Sequence, residues 1–239
     1  MIDVQLIPII EDNYAALIKT PCGKVAILDP GEAAPVIQAL DNQNLTPDYI
    51  LITHHHWDHV NGIPKLKQKY ACPVVAPQAE AKRIKGVDIT LNDGDIFDLG
   101  DEQARIISTP GHTLGGICYY FEQSNIAFTG DTLFSLGCGR LFEGSAADMY
   151  ASMEKLKALP DDTLVYCGHE YTRGNAGFCL AMEPDNDDLK NRIEEVKALR
   201  EKNAPTLPST IGLEKKTNVF MRTKSAEEFG IIRKKKDNF

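Results

Sequence analysis

No apolar run in this chain approaches the ~18–20 residues that a membrane-spanning helix needs, which excludes a helical span. The opening residues, Met-Ile-Asp-Val-Gln, carry neither a basic segment nor a signal-like apolar core. A soluble cytoplasmic protein with no membrane partner is therefore expected. Cysteine pairs are also missing: Cys22, Cys72, Cys118, Cys138, Cys167 and Cys179 are widely spaced, and none forms a C-x-x-C pair. That pattern argues against a disulfide framework and predicts free thiols in a reducing compartment. An excess of basic residues is absent too. The net charge of −8 argues against nucleic-acid binding. Neither internal repeats nor low-complexity segments occur. With 239 residues and 43% hydrophobic content, the chain can bury a full core, as one large domain or one plus a small appendage.

What the chain does have is a concentration of ligand-type side chains. Thr53-His54-His55-His56-Trp57-Asp58-His59 follows the apolar run Tyr49-Ile50-Leu51-Ile52, which reads as a buried strand. Residues two apart on an extended chain point the same way, so His54 and His56 can grip one metal. Asp58 and His59 follow where the chain must turn, and can face a second metal beside the first. Imidazole and carboxylate suit zinc, iron and manganese alike. A solvated His-rich tract would predict no further ligands downstream. Three more candidates nevertheless follow strand-like runs, each just after a glycine: His112 in Thr-Pro-Gly-His-Thr, Asp131 in Thr-Gly-Asp-Thr and His169 in Cys-Gly-His-Glu. The glycine permits a sharp turn that aims the next side chain. Four strand ends of this kind in one chain point to one polynuclear metal site.

The spacing His-x-His-x-Asp-His at 54–59, followed by His112, Asp131 and His169, resembles the metallo-β-lactamase superfamily. The narrower resemblance is to glyoxalase II, the hydroxyacylglutathione hydrolases. It rests on Thr53–Gly62, Thr109–Gly116, Thr129–Gly144, Cys167–Thr172 and the final run Ile231–Phe239, and so covers nearly the whole chain. The resemblance implies an α/β fold: an αββα sandwich of two mixed sheets with a C-terminal helical domain. The boundary is expected near residue 170, with a catalytic domain over 1–170 and a glutathione-binding domain over 171–239.

The same resemblance implies the chemistry. His54, His56 and His112 would bind one metal, Asp58, His59 and His169 the other, and Asp131 would bridge them. Two divalent ions per chain are implied, zinc first, with iron or manganese as options. A hydroxide bridging them would hydrolyse S-D-lactoylglutathione, or another 2-hydroxyacylglutathione thioester, to D-lactate and glutathione, the second step of methylglyoxal detoxification. Asp58 would also orient the nucleophile. Arg140, Tyr171, Arg233 and Lys236 match glutathione contacts of the family. An acidic protein needs such local positive charge to hold an anionic tripeptide. Phe142 stands where the family often has Tyr, so it is expected to pack against substrate without a hydrogen bond. Because the nitrogen and oxygen ligands already fill two metals, Cys167 is expected to be a small buried hydrophobe. A monomer is expected. The alternative is another metal-dependent member of the same fold, a persulfide dioxygenase or other hydrolase. A metal-binding protein without turnover would keep the histidines but need no substrate pocket.

Periodicity supplies the remaining elements. Strands are predicted at Val4–Ile10, Tyr14–Lys19, Val25–Leu28, Pro73–Ala76, Ile117–Phe121 and Ile126–Thr129, and helices at Ala33–Asp41 and Pro64–Tyr70. Asp88–Leu91, Asp95–Leu99 and Gln103–Ser108 are predicted to form a meander. Ser145 is a candidate N-cap for a helix reaching Ala158. Two helices, Tyr171–Met182 and Asp187–Asn203, are predicted to follow. Pro205, Pro208 and Gly212 break the chain after them, with no strand expected to the end.

Overall fold

A computed structural model describes all 239 residues. They form two compact units, 1–108 with 115–124, and 109–114 with 125–239.

The first unit begins with the hairpin β1 (Asp3–Ile9) and β2 (Asn13–Lys19), followed by β3 (Val25–Leu28) and α1 (Ala33–Asn42). Next come β4 (Tyr49–Leu51), the single-turn α2 (Trp57–Val60), α3 (Ile63–Tyr70), β5 (Val74–Pro77) and β6 (Ile89–Leu91). These six strands make a mixed sheet in sequence order, antiparallel from β1 to β3 and parallel from β3 to β6. β2 to β5 are buried almost throughout, and parallel strands covered on both faces read as continuous apolar runs. Val36 and Leu40 of α1 and Ile63 and Leu66 of α3 join Ile27, Ile50, Ile52 and Val74 in one core cluster. Pro64 sits in the first turn of α3, where a missing N–H costs nothing.

The unit continues with β7 (Ile96–Leu99), β8 (Glu102–Ser108) and β9 (Ile117–Phe121), paired antiparallel. The predicted meander of 88–108 is only partly correct. β7 and β8 pair, but β6 joins the other sheet, parallel to β5 with Val75 opposite Ile89. Local turn chemistry misled the expectation. Asn92-Asp93-Gly94 is a turn, with Asp95 Oδ2 accepting from Asn92 N–H at 2.7 Å, yet it hands the chain from one sheet to another.

The second unit holds β10 (Ile126–Gly130), the ribbon of β11 (Leu133–Phe134) and β12 (Gly137–Cys138), α4 (Ala146–Lys157) and β13 (Leu164–Cys167). After them come α5 (Thr172–Met182), α6 (Asp187–Glu201), β14 (Ser209–Thr210), α7 (Ile211–Thr217) and α8 (Ala226–Asp237). β13 lies between β10, to which it is parallel, and β14, to which it is antiparallel. The two-residue β14 corrects the expectation of no strand after residue 203. It forms because Ser209 and Thr210 pair with Val165 and Leu164, a long-range partnership that no local pattern announces. Ser145 caps α4 as predicted, its hydroxyl accepting from Asp148 N–H at 3.2 Å while Asp148 reaches back to Ser145 N–H at 2.8 Å. No helix is long and apolar enough to cross a membrane. All six cysteines are unpaired thiols, only Cys22 being exposed.

Candidate metal centre

In the first unit the ligand candidates hang from the ends of parallel strands, the usual place for chemistry in such sheets. Asp29 follows β3 and Thr53 follows β4, its parallel neighbour. The two are locked together: Thr53 donates its N–H to Asp29 Oδ1 at 2.8 Å and its hydroxyl to Asp29 Oδ2 at 2.6 Å. Asp29 is fully buried and also stands 3.0 Å from His59 Nδ1. A carboxylate on one ring nitrogen fixes the tautomer and presents the other nitrogen as a ligand atom. His54 is oriented likewise by the Thr53 hydroxyl, 3.0 Å from its Nδ1.

The ring nitrogens His54 Nε2 and His56 Nδ1 then come within 3.1 Å of each other, as expected for alternating side chains of an extended segment. Asp58 and His59 enter α2, with His59 Nε2 3.5 Å from Asp58 Oδ2. Asn13, at the start of β2, donates to Asp58 Oδ2 at 2.8 Å. Close backbone packing sets this turn. A Cβ on Gly31 would stand 1.7 Å from the Asp58 carbonyl oxygen, so only glycine fits there.

In the second unit one carboxylate gathers the other candidates. Asp131 follows β10, and its Oδ2 lies 3.4 Å from His112 Nε2 and 3.2 Å from His169 Nε2. All three side chains are buried. His112 donates from Nδ1 to the Arg140 carbonyl at 2.8 Å, which turns Nε2 toward Asp131. His169 follows β13, the parallel neighbour of β10, and Gly168 N–H bonds the Gly130 carbonyl at 2.9 Å. The glycines before His112 and Asp131 have φ of +152° and +48°, backbone that other residues rarely adopt. Tyr171 stacks flat on His169, with centroids 4.5 Å apart, and Phe134 meets both rings edge-on.

The donor sets in both units are imidazole and carboxylate, buried except for the half-buried His56 and Asp58, with nitrogens and oxygens clustered closer than bulk solvation would leave them. This chemistry fits divalent cations. Burial pushes the Cys167 thiol up to about 12 and the Cys138 thiol to about 11.

The remaining predicted residues lie in the second unit. Arg140 is exposed, and Phe142, 63% exposed, stands 5.2 Å from the His112 ring. The basic run near the end is helical, so Arg233 and Lys236, three apart, share a face of α8 while Lys234 and Lys235 stay exposed. Arg233 is buried over the Phe220 ring, donating to the Cys138 carbonyl at 3.1 Å and pairing with Asp237 at 2.8 Å. Lys236 lies over the rings of Phe178 and Phe239 at 5.2 and 5.5 Å. Burial, then the charge of Arg233 and more weakly that of Arg140, push its pKa below the ordinary lysine value. The charges of Arg140 and Arg233 are thus both felt at Lys236.

Asp29, Asn13 and Glu80 were not singled out from the sequence. Asp29 had a signal, the Asp-Pro-Gly that ends β3. Asn13 and Glu80 had none, being an ordinary turn residue and an ordinary loop acid.

Comparison with known proteins agrees with this geometry. Residues 11–169 match the family model of the metallo-beta-lactamase superfamily, and residues 170–239 match that of the hydroxyacylglutathione hydrolase C-terminus. A hydroxyacylglutathione hydrolase of Pelagibacter ubique is 48% identical, the match covering 99% of this chain and 100% of that one. Another, of Rhodopseudomonas palustris, is 45% identical over 99% and 98% of the two chains. Among solved structures, ETHE1 from Myxococcus xanthus superposes with a TM-score of 0.74 at 26% identity, over 97% of this chain and 90% of that one. The BLEG-1 B3 metallo-beta-lactamase gives 0.70 at 24% identity, over 93% and 100%, and shares the fold.

Proposed function

The chain belongs to the hydroxyacylglutathione hydrolases of the metallo-β-lactamase superfamily, and we propose that it hydrolyses S-D-lactoylglutathione and related 2-hydroxyacylglutathione thioesters to the hydroxy acid and glutathione. The observation that carries this is the full-length match, which includes the hydrolase-specific C-terminus. That C-terminal match disfavours a persulfide dioxygenase or a different hydrolase of the same fold. We read residues 1–170 as the catalytic domain and 171–239 as the glutathione-binding domain, a division supported by family models that meet at 169 and 170.

His54, His56 and His112 would hold one divalent ion, Asp58, His59 and His169 a second, with Asp131 shared between them. Zinc is the first choice, because nitrogen-rich, oxygen-completed sets suit it. Such ions supply an acidified water at neutral pH and polarise the carbonyl under attack. The chain's own side chains do the rest. Asp29 and the Arg140 carbonyl hold His59 and His112 in the tautomers that present Nε2. Asn13 steadies Asp58, which we assign the further task of orienting the attacking oxygen. Arg140, Arg233 and Lys236 supply charge for the glutathione carboxylates, Tyr171 a hydroxyl for the peptide, and Phe142 an apolar contact. A glutathione thiolate is a good leaving group, so no strong general acid is needed. We take the protein to act as a monomer in the cytoplasm, without nucleic-acid or membrane partners, in keeping with its charge of −8.

The test is hydrolysis of S-D-lactoylglutathione, followed by loss of thioester absorbance, on metal-loaded wild type and the Arg233→Ala/Lys236→Ala variant. Rapid turnover by wild type, with KM raised ~10-fold or more in the variant, is expected. A metal-loaded wild type without turnover would overturn the assignment.

A further inference from the structure

Glu80 is a carboxylate only 2% exposed, in the loop after β5. Its backbone is fixed at both ends: its N–H bonds the Pro77 carbonyl at 3.0 Å, and its own carbonyl accepts from Arg83 at 2.8 Å. From this post Oε2 accepts from the His55 N–H at 2.5 Å and stands 2.7 Å from His55 Nδ1, while Oε1 accepts from the Gly115 N–H at 3.2 Å. The space it occupies exists because residue 115 lacks a side chain, since a Cβ there would lie 2.4 Å from Glu80 Cγ.

His55 is the histidine between the two that present adjacent nitrogens. Its ring turns to Glu80 and meets the His56 ring edge-on, with centroids 4.8 Å apart. Burying a carboxylate is costly unless it is hydrogen-bonded, and these contacts offset that cost. They also pin residue 55 by its backbone and by its ring. A residue held at both points cannot rotate without carrying its two neighbours along.

We propose that Glu80 is a positioning residue that presets His54 and His56 for a metal ion, by clamping the main chain and ring of the histidine between them. The proposal rests on the metal-dependent reading of the site. Donors set in advance bind without an ordering cost, and loss of such outer partners lowers metal affinity ~10–100-fold. An ordinary structural anchor would act on the fold instead.

The experiment titrates metal-free wild type, Glu80→Gln and His55→Ala with Zn(II) and Co(II), and records the thermal midpoint of each metal-free protein. Glu80→Gln nearly keeps the shape but sets an amide where two acceptor oxygens stood. It is expected to weaken one metal ~10–100-fold, over and above any fall in the metal-free midpoint from the buried amide. His55→Ala keeps the main-chain bond but loses the ring bond to Glu80 and the ring contact with His56, so a loss in the same direction is expected. It decides the matter if Glu80→Gln fails to fold. Wild-type metal affinity in either folded variant, or a fall in the metal-free midpoint without a change in affinity, would overturn the proposal. Wild-type hydrolysis of S-D-lactoylglutathione, measured alongside, keeps the two readings apart. A wild type that binds metal but lacks turnover counts against the thioesterase and leaves the assignment of Glu80 to the titration.

Discussion

Asp131 has a single oxygen placed within 3.2 and 3.4 Å of two imidazole nitrogens, so its charge is the feature of the second unit most sensitive to replacement. Asp131→Asn keeps the shape and removes the charge. It is expected to lower bound metal and to cut kcat ~100-fold or more, as metal analysis and steady-state kinetics would show. Lys236 carries a pH prediction. Its pKa lies below 10.5, chiefly through burial and then through Arg233, so the folded protein gives up this proton sooner than an unfolded chain does. Two consequences follow in the window between the lowered value and 10.5. Stability gains from this group as pH rises, because the unfolded state there binds more protons. Affinity for an anionic substrate falls, because the ammonium is lost. KM is therefore expected to climb on the alkaline side before ordinary lysines titrate. In Lys236→Arg, whose charge persists, that rise should vanish; an identical alkaline limb in the variant would sink the role of Lys236.

At the scale of elements, helix ends were the most legible feature. Ser145 caps α4 through chemistry confined to four residues, so local sequence sufficed to find it. Ser145→Ala is expected to cost ~1 kcal/mol, seen as a lower urea midpoint, with kcat/KM unchanged. α8 shows where local reading stops. Its basic residues were visible, but their division into an inward pair and an outward pair exists only once the segment is helical and docked. Strand existence was readable, whereas strand partnership was not. β6 and β7 are separated by a good turn, yet they hydrogen-bond in different sheets, because pairing is decided by distant strands competing for the same donors and acceptors.

For the whole molecule, metal and fold are linked through residues far apart in the chain. A divalent ion that binds only the native state stabilises it by RT ln(1 + [L]/Kd), about 4 kcal/mol at a thousandfold excess over Kd. Exhaustive chelation should therefore lower the thermal midpoint by several degrees, and restoring the metal should reverse the shift. Calorimetry with and without chelator checks this, and coincident midpoints would argue against tight native-state binding. The two compact units each mix distant segments, with residues 109–114 grouped with 125–239. Six residues bearing His112 are thus drawn out of their sequence neighbourhood and fixed by a bond to the Arg140 carbonyl.

The sequence by itself determined where ligand-type side chains follow the strands. His54, His56, Asp58, His59, His112, Asp131 and His169 sit at strand ends, and strand ends are written in short apolar runs followed by glycine or a turn. It also determined most element boundaries, for the same local reason. Only the tertiary structure decided which side chains orient those donors. Asp29 reaches from β3 to His59, Asn13 from β2 to Asp58, and Glu80 from the loop after β5 to His55. Each is an ordinary polar residue whose role depends on a partner 25 to 45 positions away. Such contacts arise from sheet order and packing, and no window of local sequence contains both partners.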